Sequence, residues 1–288
     1  MEDKRILVAG GTGYIGSALV DRLARNGHSV SIVTRNRARH DTSIHYLIGN
    51  LLDRDFVYSI VKDYDMVVFL AGVVRSMNKP QYRDNAIILD NVLTAMHLNN
   101  VQKIIFFSTQ NVFAASTGPY GRSKMECEDL LKKKATRGLE YMIVRPNYVY
   151  GIDQRNDFYR LYRIMRSLRI CPILGDGNTR FQPINKNDLA ELTAGLIKKW
   201  QPGAEINVSG KDTVSMNEAA RLIMEDARIC ATIIHLPLGV IKLFSRFVPF
   251  DVDGYGDDKL PPHESRVIVG KSGIRDDIGR IIESTTRQ

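Results

Sequence analysis

The chain is poor in cysteine. Its three, Cys127, Cys171 and Cys230, are an odd number in 288 residues and show no CxxC spacing. That argues against a disulfide framework or a thiolate metal site and fits a reducing, cytoplasmic setting. Long hydrophobic runs are also missing: nothing approaches the roughly 20 apolar residues of a membrane span. The N-terminus, "MEDKRILVAG", is charged and enters a strand pattern at once, unlike a secretory signal. The most apolar late stretch, "LPLGVIKLFSRFVPF" (236–250), is broken by Lys242 and Arg246. It reads either as core of a small lobe or as a docking surface for a partner or membrane. Internal repeats and low-complexity segments are absent. No nucleic-acid-binding motif accompanies the net charge of +8, and the Lys and Arg are scattered. The expected partner is therefore a small phosphorylated substrate and not nucleic acid.

What is present is an alternation of strands and helices. "RILVAG", "HSVSIVTR", "IHYLIGN", "DMVVFLAG", "VQKIIFFST" and "LEYMIVRP" are short strands, most of them continuously apolar, with helical patterns between most of them. Such strands belong to a parallel sheet covered on both faces. Right-handed crossovers make it a doubly wound α/β (Rossmann) fold. Asp53 is placed to cap the helix "DRDFVYSIVKDY". Beyond "RPNYVYG" the pattern loosens into "NDFYRLYRIMRSLR", the loop "GDGNTRFQPI" and the helices "KNDLAELTAGLIKKW" and "SMNEAARLIMEDA". Arg160, Arg163, Arg166 and Arg169 form a stripe that reads as a solvated helix face. The expected division is a dinucleotide-binding domain over 1–150 and 186–210 and a smaller, mixed, C-terminal substrate lobe over 151–185 and 211–288.

In "VAGGTGYIG" the glycines Gly10, Gly13 and Gly16 stand between the first strand and the first helix. There they allow a tight turn, close approach of a pyrophosphate and tight helix packing, with Tyr14 and Ile15 at the helix start. The second strand ends in Thr34 and Arg35 and lacks the acidic residue that would hold the ribose hydroxyl of NAD. A guanidinium suits a 2′-phosphate, so NADP is favoured over NAD.

Tyr120 and Lys124, in "PYGRSKMECE", lie four residues apart and share a helix face after the fifth strand. Lowering a tyrosine pKa by about three units needs roughly 4 kcal/mol. An ammonium about 4 Å away offers a comparable amount in a partly screened site. Thr109, at the end of that strand, is placed to donate a hydrogen bond to a substrate oxygen.

With these motifs the chain resembles the extended or atypical short-chain dehydrogenases/reductases, the NAD(P)-dependent epimerase/dehydratase group. The resemblance rests on "GGTGYIG", "GNLLD", "VVFLAG", "FFSTQNVF", "YGRSK", "RPNYVYG", "FQPINKNDLA" and "INVSGKDTVSMNEAA", and covers about residues 4 to 225. It implies that Tyr120 is the catalytic acid/base, that Lys124 holds the nicotinamide ribose, and that Thr109 contacts substrate. It places Asn50 and Leu51 at the adenine, and Leu70, Ala71 and Gly72 along the ribose and phosphates. It adds Asn85 to the cofactor site and Pro146, Asn147 and Val149 beside the nicotinamide. Asn111, Tyr148 and Arg180 become substrate candidates. An Asp is usual at Asn50, and only eleven positions separate Thr109 from Tyr120. The implied activity is oxidoreduction or epimerisation of a nucleotide sugar or similar hydroxy/keto compound. Dehydration is disfavoured because Gln110 and Asn111 supply no extra acid/base pair. The "GDGNTRFQPI" and 236–250 stretches resemble instead the complex I-associated branch, so a non-catalytic NADPH-binding subunit is the alternative. The state is a monomer or a homodimer.

Overall fold

The structure, a computed structural model, describes residues 3–35, 44–74, 76, 78–115, 117–135, 138–153, 156–239, 257–258 and 260–284. The first part of the chain runs β1 (Arg5–Ala9), α1 (Tyr14–Arg25), β2 (Ser29–Thr34), β3 (His45–Ile48), α2 (Arg54–Ile60), β4 (Met66–Phe69), α3 (Asp84–Leu98), β5 (Lys103–Phe107), α4 (Pro119–Ala135) and β6 (Glu140–Pro146). It continues through β7 (Val149–Tyr150), α5 (Asp157–Leu168), β8 (Ile170–Leu174), β9 (Arg180–Phe181), β10 (Ile184–Asn185), α6 (Lys186–Lys198) and β11 (Ala204–Ser209). The last elements are β12 (Val214–Ser215), α7 (Met216–Ala227), β13 (Thr232–Leu236), β14 (Val267–Val269) and α8 (Ile274–Glu283).

Eight strands form one sheet in the order β14-β11-β6-β5-β4-β1-β2-β3, and every neighbouring pair is parallel. Alternation along each strand feeds two apolar layers. Ile6 and Val8 of β1 join Leu19 and Leu23 of α1 and Leu189 and Ile197 of α6. Leu7 and Ala9 join Leu89 and Leu93 of α3 and Leu131 of α4 on the other face. This is the doubly wound sheet expected from the continuous apolar strands. The strand order reverses between β1 and β4, so a crevice opens there at the carboxyl ends.

Local signals explain the element ends. Asp53 accepts a hydrogen bond from Phe56 N–H at 3.2 Å and caps α2. Gly27, at φ +86°, turns the chain out of α1. Asn156 caps α5, and Ser215 with Glu218 forms a capping box at α7. The four arginines of the α5 stripe are exposed.

Two readings of the later chain change, and one strand is added to them. "GDGNTRFQPI" contains the short strand β9 and the start of β10, because Phe181 and Ile184 are buried and pair with β12 and β7. Ile170–Leu174 is a strand paired with β13, outside the main sheet. The stretch 267–269, placed with the substrate lobe by sequence, joins β11 as the edge strand of the main sheet. Of the apolar segment 236–250, residues 240–250 lie outside the described residues.

The second layer of structure packs α5, α7 and α8 around Phe158, Tyr162, Ile223 and Ile278. It is tied to the separate β7–β10 strand pair by Asp277 of α8, which is 1% exposed and accepts hydrogen bonds at 2.8 Å from Tyr150 Oη and from Asn185 Nδ2. A different buried contact joins α4 to β6 and β11 of the main sheet. Arg145 of β6 donates through Nε and Nη2 to both Glu128 carboxylate oxygens, at 2.8 and 2.5 Å, and through Nη2 to Glu205 at 2.5 Å. Burial works against the guanidinium charge, but the bonds to Glu128 and then Glu205 outweigh it and hold its pKa above the ordinary value. Removing one partner of such a pair leaves a buried charge with less compensation. Glu128→Ala should therefore destabilise the chain by about 3 kcal/mol in urea denaturation. A change below about 1 kcal/mol would match an exposed pair and refute this assignment.

Candidate active site

A cleft of about 880 Å³ opens at the crevice between β1 and β4. Its cradle comes from the glycine turn. Gly10 leaves β1 at φ +89°, a conformation that L side chains rarely adopt, and its carbonyl accepts from Gly13 N–H at 3.0 Å. A Cβ at Gly16 would stand 2.2 Å from Gly10 O, and one at Gly10 would stand 2.7 Å from Ala71 N. Around Gly13 only Gly10 O lies within 4 Å of such a carbon, at 3.1 Å, and Gly13 lines the cleft. The first turn of α1 has no side-chain cap and no acidic residue. Its N–H groups and dipole are thus left to an anion, and the turn fits a dinucleotide pyrophosphate.

The cleft walls contain most of the residues singled out from sequence. Gly10, Gly13, Tyr14, Ile15, Gly16, Thr34, Arg35, Asn50, Leu51, Leu70, Ala71 and Gly72 line it toward β1–β4. Thr109, Tyr120, Lys124, Pro146, Asn147, Tyr148 and Val149 line it toward β5 and β6. The 50–52 loop is held by Asn91 of α3, whose Nδ2 donates to Leu51 O at 2.9 Å while its Oδ1 accepts from Arg54 Nε at 3.2 Å.

Three candidates fall elsewhere. Asn85 is 1% exposed and off the cleft wall. It accepts from Val73 N–H at 2.6 Å and donates to Val73 O and Ser123 Oγ, so it holds the 72–74 loop from behind. Asn111 sits on a 3-10 turn (Gln110–Phe113) and donates its backbone N–H to Thr109 Oγ1 at 3.2 Å. Arg180 is exposed outside the cleft wall, its backbone N–H on Asp258 and its guanidinium on Thr213 O. Sequence alignment by motif cannot see that β9 turns Arg180 outward.

At the floor, Lys124 is 3% exposed and donates to Phe107 O at 2.9 Å, with its ammonium 4.9 Å from the Phe106 ring centre. Burial lowers its pKa to about 8, against smaller upward pulls from Cys127 and Glu128. Tyr120 packs on Tyr82 with ring centres 6.2 Å apart. Burial, then Tyr82 and Cys127, push its pKa above the ordinary tyrosine value. This differs from the expectation that the nearby ammonium lowers it: in the chain alone, desolvation of the phenolate is the largest influence on it. The Thr109 hydroxyl oxygen is used as a cap acceptor by Asn111 N–H, which leaves its O–H proton to donate.

Sequence reasoning missed several wall residues. Ser108, Asn156 and Asp157 line the cleft, and Tyr148 Oη donates to Asp157 at 2.8 Å. The signal for Ser108 was its place beside Thr109 at a strand end. Asn156 and Asp157 read only as a helix start. Gln110 is 2% exposed: its amide donates to Arg145 O and Ser209 Oγ and accepts from Asn147 Nδ2 at 2.7 Å. That commits it to holding the ends of β6 and β11. Among the described residues no group of His, Cys, Asp and Glu is placed to hold a metal ion, and no helix is long and apolar enough to cross a membrane.

Residues 6–209 match the model of the NAD dependent epimerase/dehydratase family. The UDP-glucose 4-epimerase of Streptococcus mutans is 33% identical, over 76% of this chain and 81% of that one. An uncharacterized protein, y4nG of Sinorhizobium fredii, is 28% identical over 83% of this chain, and the alignment takes in 65% of that longer protein. A solved structure, MoeE5 in complex with UDP-glucuronic acid and NAD, shares the fold at a TM-score of 0.78. It is 22% identical, with 99% of each chain covered. The expected likeness to the complex I-associated branch is not carried by these relatives. Matched from its first strand through β11, the chain belongs to the NAD dependent epimerase/dehydratase family, enzymes of the extended short-chain dehydrogenase/reductase type.

Proposed function

We propose that the chain is a nicotinamide-dependent epimerase of a nucleotide-linked sugar, with Tyr120 moving the hydroxyl proton. The observation that carries this reading is the convergence of Thr109, Tyr120 and Lys124 on the floor of one cleft, opposite the glycine cradle. When bound, the nicotinamide supplies reversible hydride transfer. Thr109 donates a hydrogen bond to the sugar oxygen and Tyr120 takes its proton, acting as general base and then as acid. Lys124 holds the ribose and keeps a positive charge on the same cleft floor as Tyr120. Epimerisation is preferred because the Streptococcus relative is named for it and because Gln110 is fully engaged in structural hydrogen bonds. The walls beyond the floor, Tyr148, Asn156 and Asp157, form the sugar side.

NADP is the proposed dinucleotide. Thr34 ends β2 and Arg35 follows it at the cleft wall, and among the described residues there no carboxylate stands to hold a 2′-hydroxyl. The MoeE5 structure carries NAD, so the choice turns on Arg35 in this chain.

Tyr120→Phe should lower kcat on UDP-glucose by about 10²-fold or more while leaving cofactor affinity intact. Retained turnover would show that another group moves the proton. Arg35→Ala should weaken NADPH binding about tenfold with little effect on NADH, measured by fluorescence titration. Equal NADPH affinity before and after would remove Arg35 from the 2′-phosphate. Lys124 also carries a cost to the fold. Its folded-state pKa of about 8 lies below the ordinary 10.5, so burial of the charge destabilises the chain below pH 8. That penalty fades as pH rises through 8 toward 10.5. Lys124→Met should therefore melt above the wild type at pH 7, with the gap narrowing by pH 9.5. A gap that stays constant or reverses sign at pH 7 contradicts the buried charge as its source.

A further inference from the structure

We infer that Ser108 is a further cofactor-binding residue, whose hydroxyl pairs with the nicotinamide half of the dinucleotide. Ser108 is 4% exposed and lines the cleft, yet its Oγ has no hydrogen-bond partner in the chain. Its backbone is already engaged, N–H donating to Val144 O at 2.8 Å. A buried hydroxyl without a partner has lost its hydration for nothing, so folding alone does not account for it. Its position does. Side chains alternate along β5, so Ser108 shares the face of Phe106, the ring beneath the Lys124 ammonium. The residue before it, Phe107, gives its carbonyl to Lys124, and the residue after it, Thr109, spends its oxygen on capping the 110–113 turn. Ser108 Oγ is therefore the group at this strand end with both its proton and its lone pairs unspent, beside the lysine assigned to the nicotinamide ribose. A ribose hydroxyl or the carboxamide gives it the missing partner.

This inference rests on a nicotinamide dinucleotide occupying the cleft, and the test separates the two. Wild type and Ser108→Ala, as full chains without sugar nucleotide, are titrated with NADPH, with NADH and with ADP, which lacks the nicotinamide half. The free chains are melted in parallel. Loss of one neutral hydrogen bond should weaken the nicotinamide dinucleotides about fivefold. ADP affinity should stay unchanged, and the free variant should melt at or above the wild-type temperature, since alanine removes a group that had no partner. Equal dinucleotide affinity in both chains would overturn the assignment. So would an equal loss for ADP, or a lower melting temperature, each marking a structural role for the hydroxyl. A wild type that binds none of the three nucleotides would instead overturn the cofactor reading on which the inference stands.

Discussion

The close backbone contact at the glycine turn is the constraint on which the rest depends. With hydrogen at Cα, Gly16 lets the first turn of α1 lie against the carbonyl of Gly10, and Gly10 lies against the chain leaving β4. No side chain fits at either point. The contact fixes where α1 begins and brings its N-terminal end to the crevice between β1 and β4. It also brings the 70–72 strand end beside the turn, so two cleft walls are set by one packing event. The loops that complete the walls are then pinned from behind by buried amides, Asn91 under 51–52 and Asn85 under 72–74.

The opposite wall is organised by charge taken out of water. Lys124 lies buried against a carbonyl and a ring face, and Glu128, one turn further along α4, engages Arg145 of β6. These contacts fasten the helix that bears Tyr120 to the strands that bear Ser108, Thr109 and Pro146. Gln110 completes the fastening by bridging the ends of β6 and β11. Holding an ammonium and a phenol in so dry a place costs the fold and raises the proton affinity of the tyrosine. In the proposed reaction, a positive nicotinamide beside Tyr120 would pull the phenol's proton affinity back down.

Much of this was legible in the chain itself. Continuous apolar strands separated by helices gave the parallel sheet, and Asp53, Gly27 and the three glycines marked turns whose chemistry is local. Tyr120, Lys124 and Thr109 announced themselves by spacing and by their place after the fifth strand. The later chain was less readable, because two-residue strands such as β9 and β10 form only when another segment pairs with them. Arg180 was misplaced for that reason. Asn85 was found as a residue but not as a buried clamp, since a polar side chain in a helix shows nothing of the loop behind it.

The sequence by itself determined the fold class, the glycine turn after β1 and the placing of Tyr120 and Lys124 on one helix, because periodicity, glycine conformation and helical spacing are properties of neighbouring residues. Only the tertiary structure decided that β14 closes the sheet, that Ser108 has an unpaired hydroxyl in the cleft, and that burial lifts the Tyr120 pKa rather than Lys124 lowering it. Those facts depend on desolvation and on partners distant along the chain, and neither exists until the sheet and its two helical layers have closed around them.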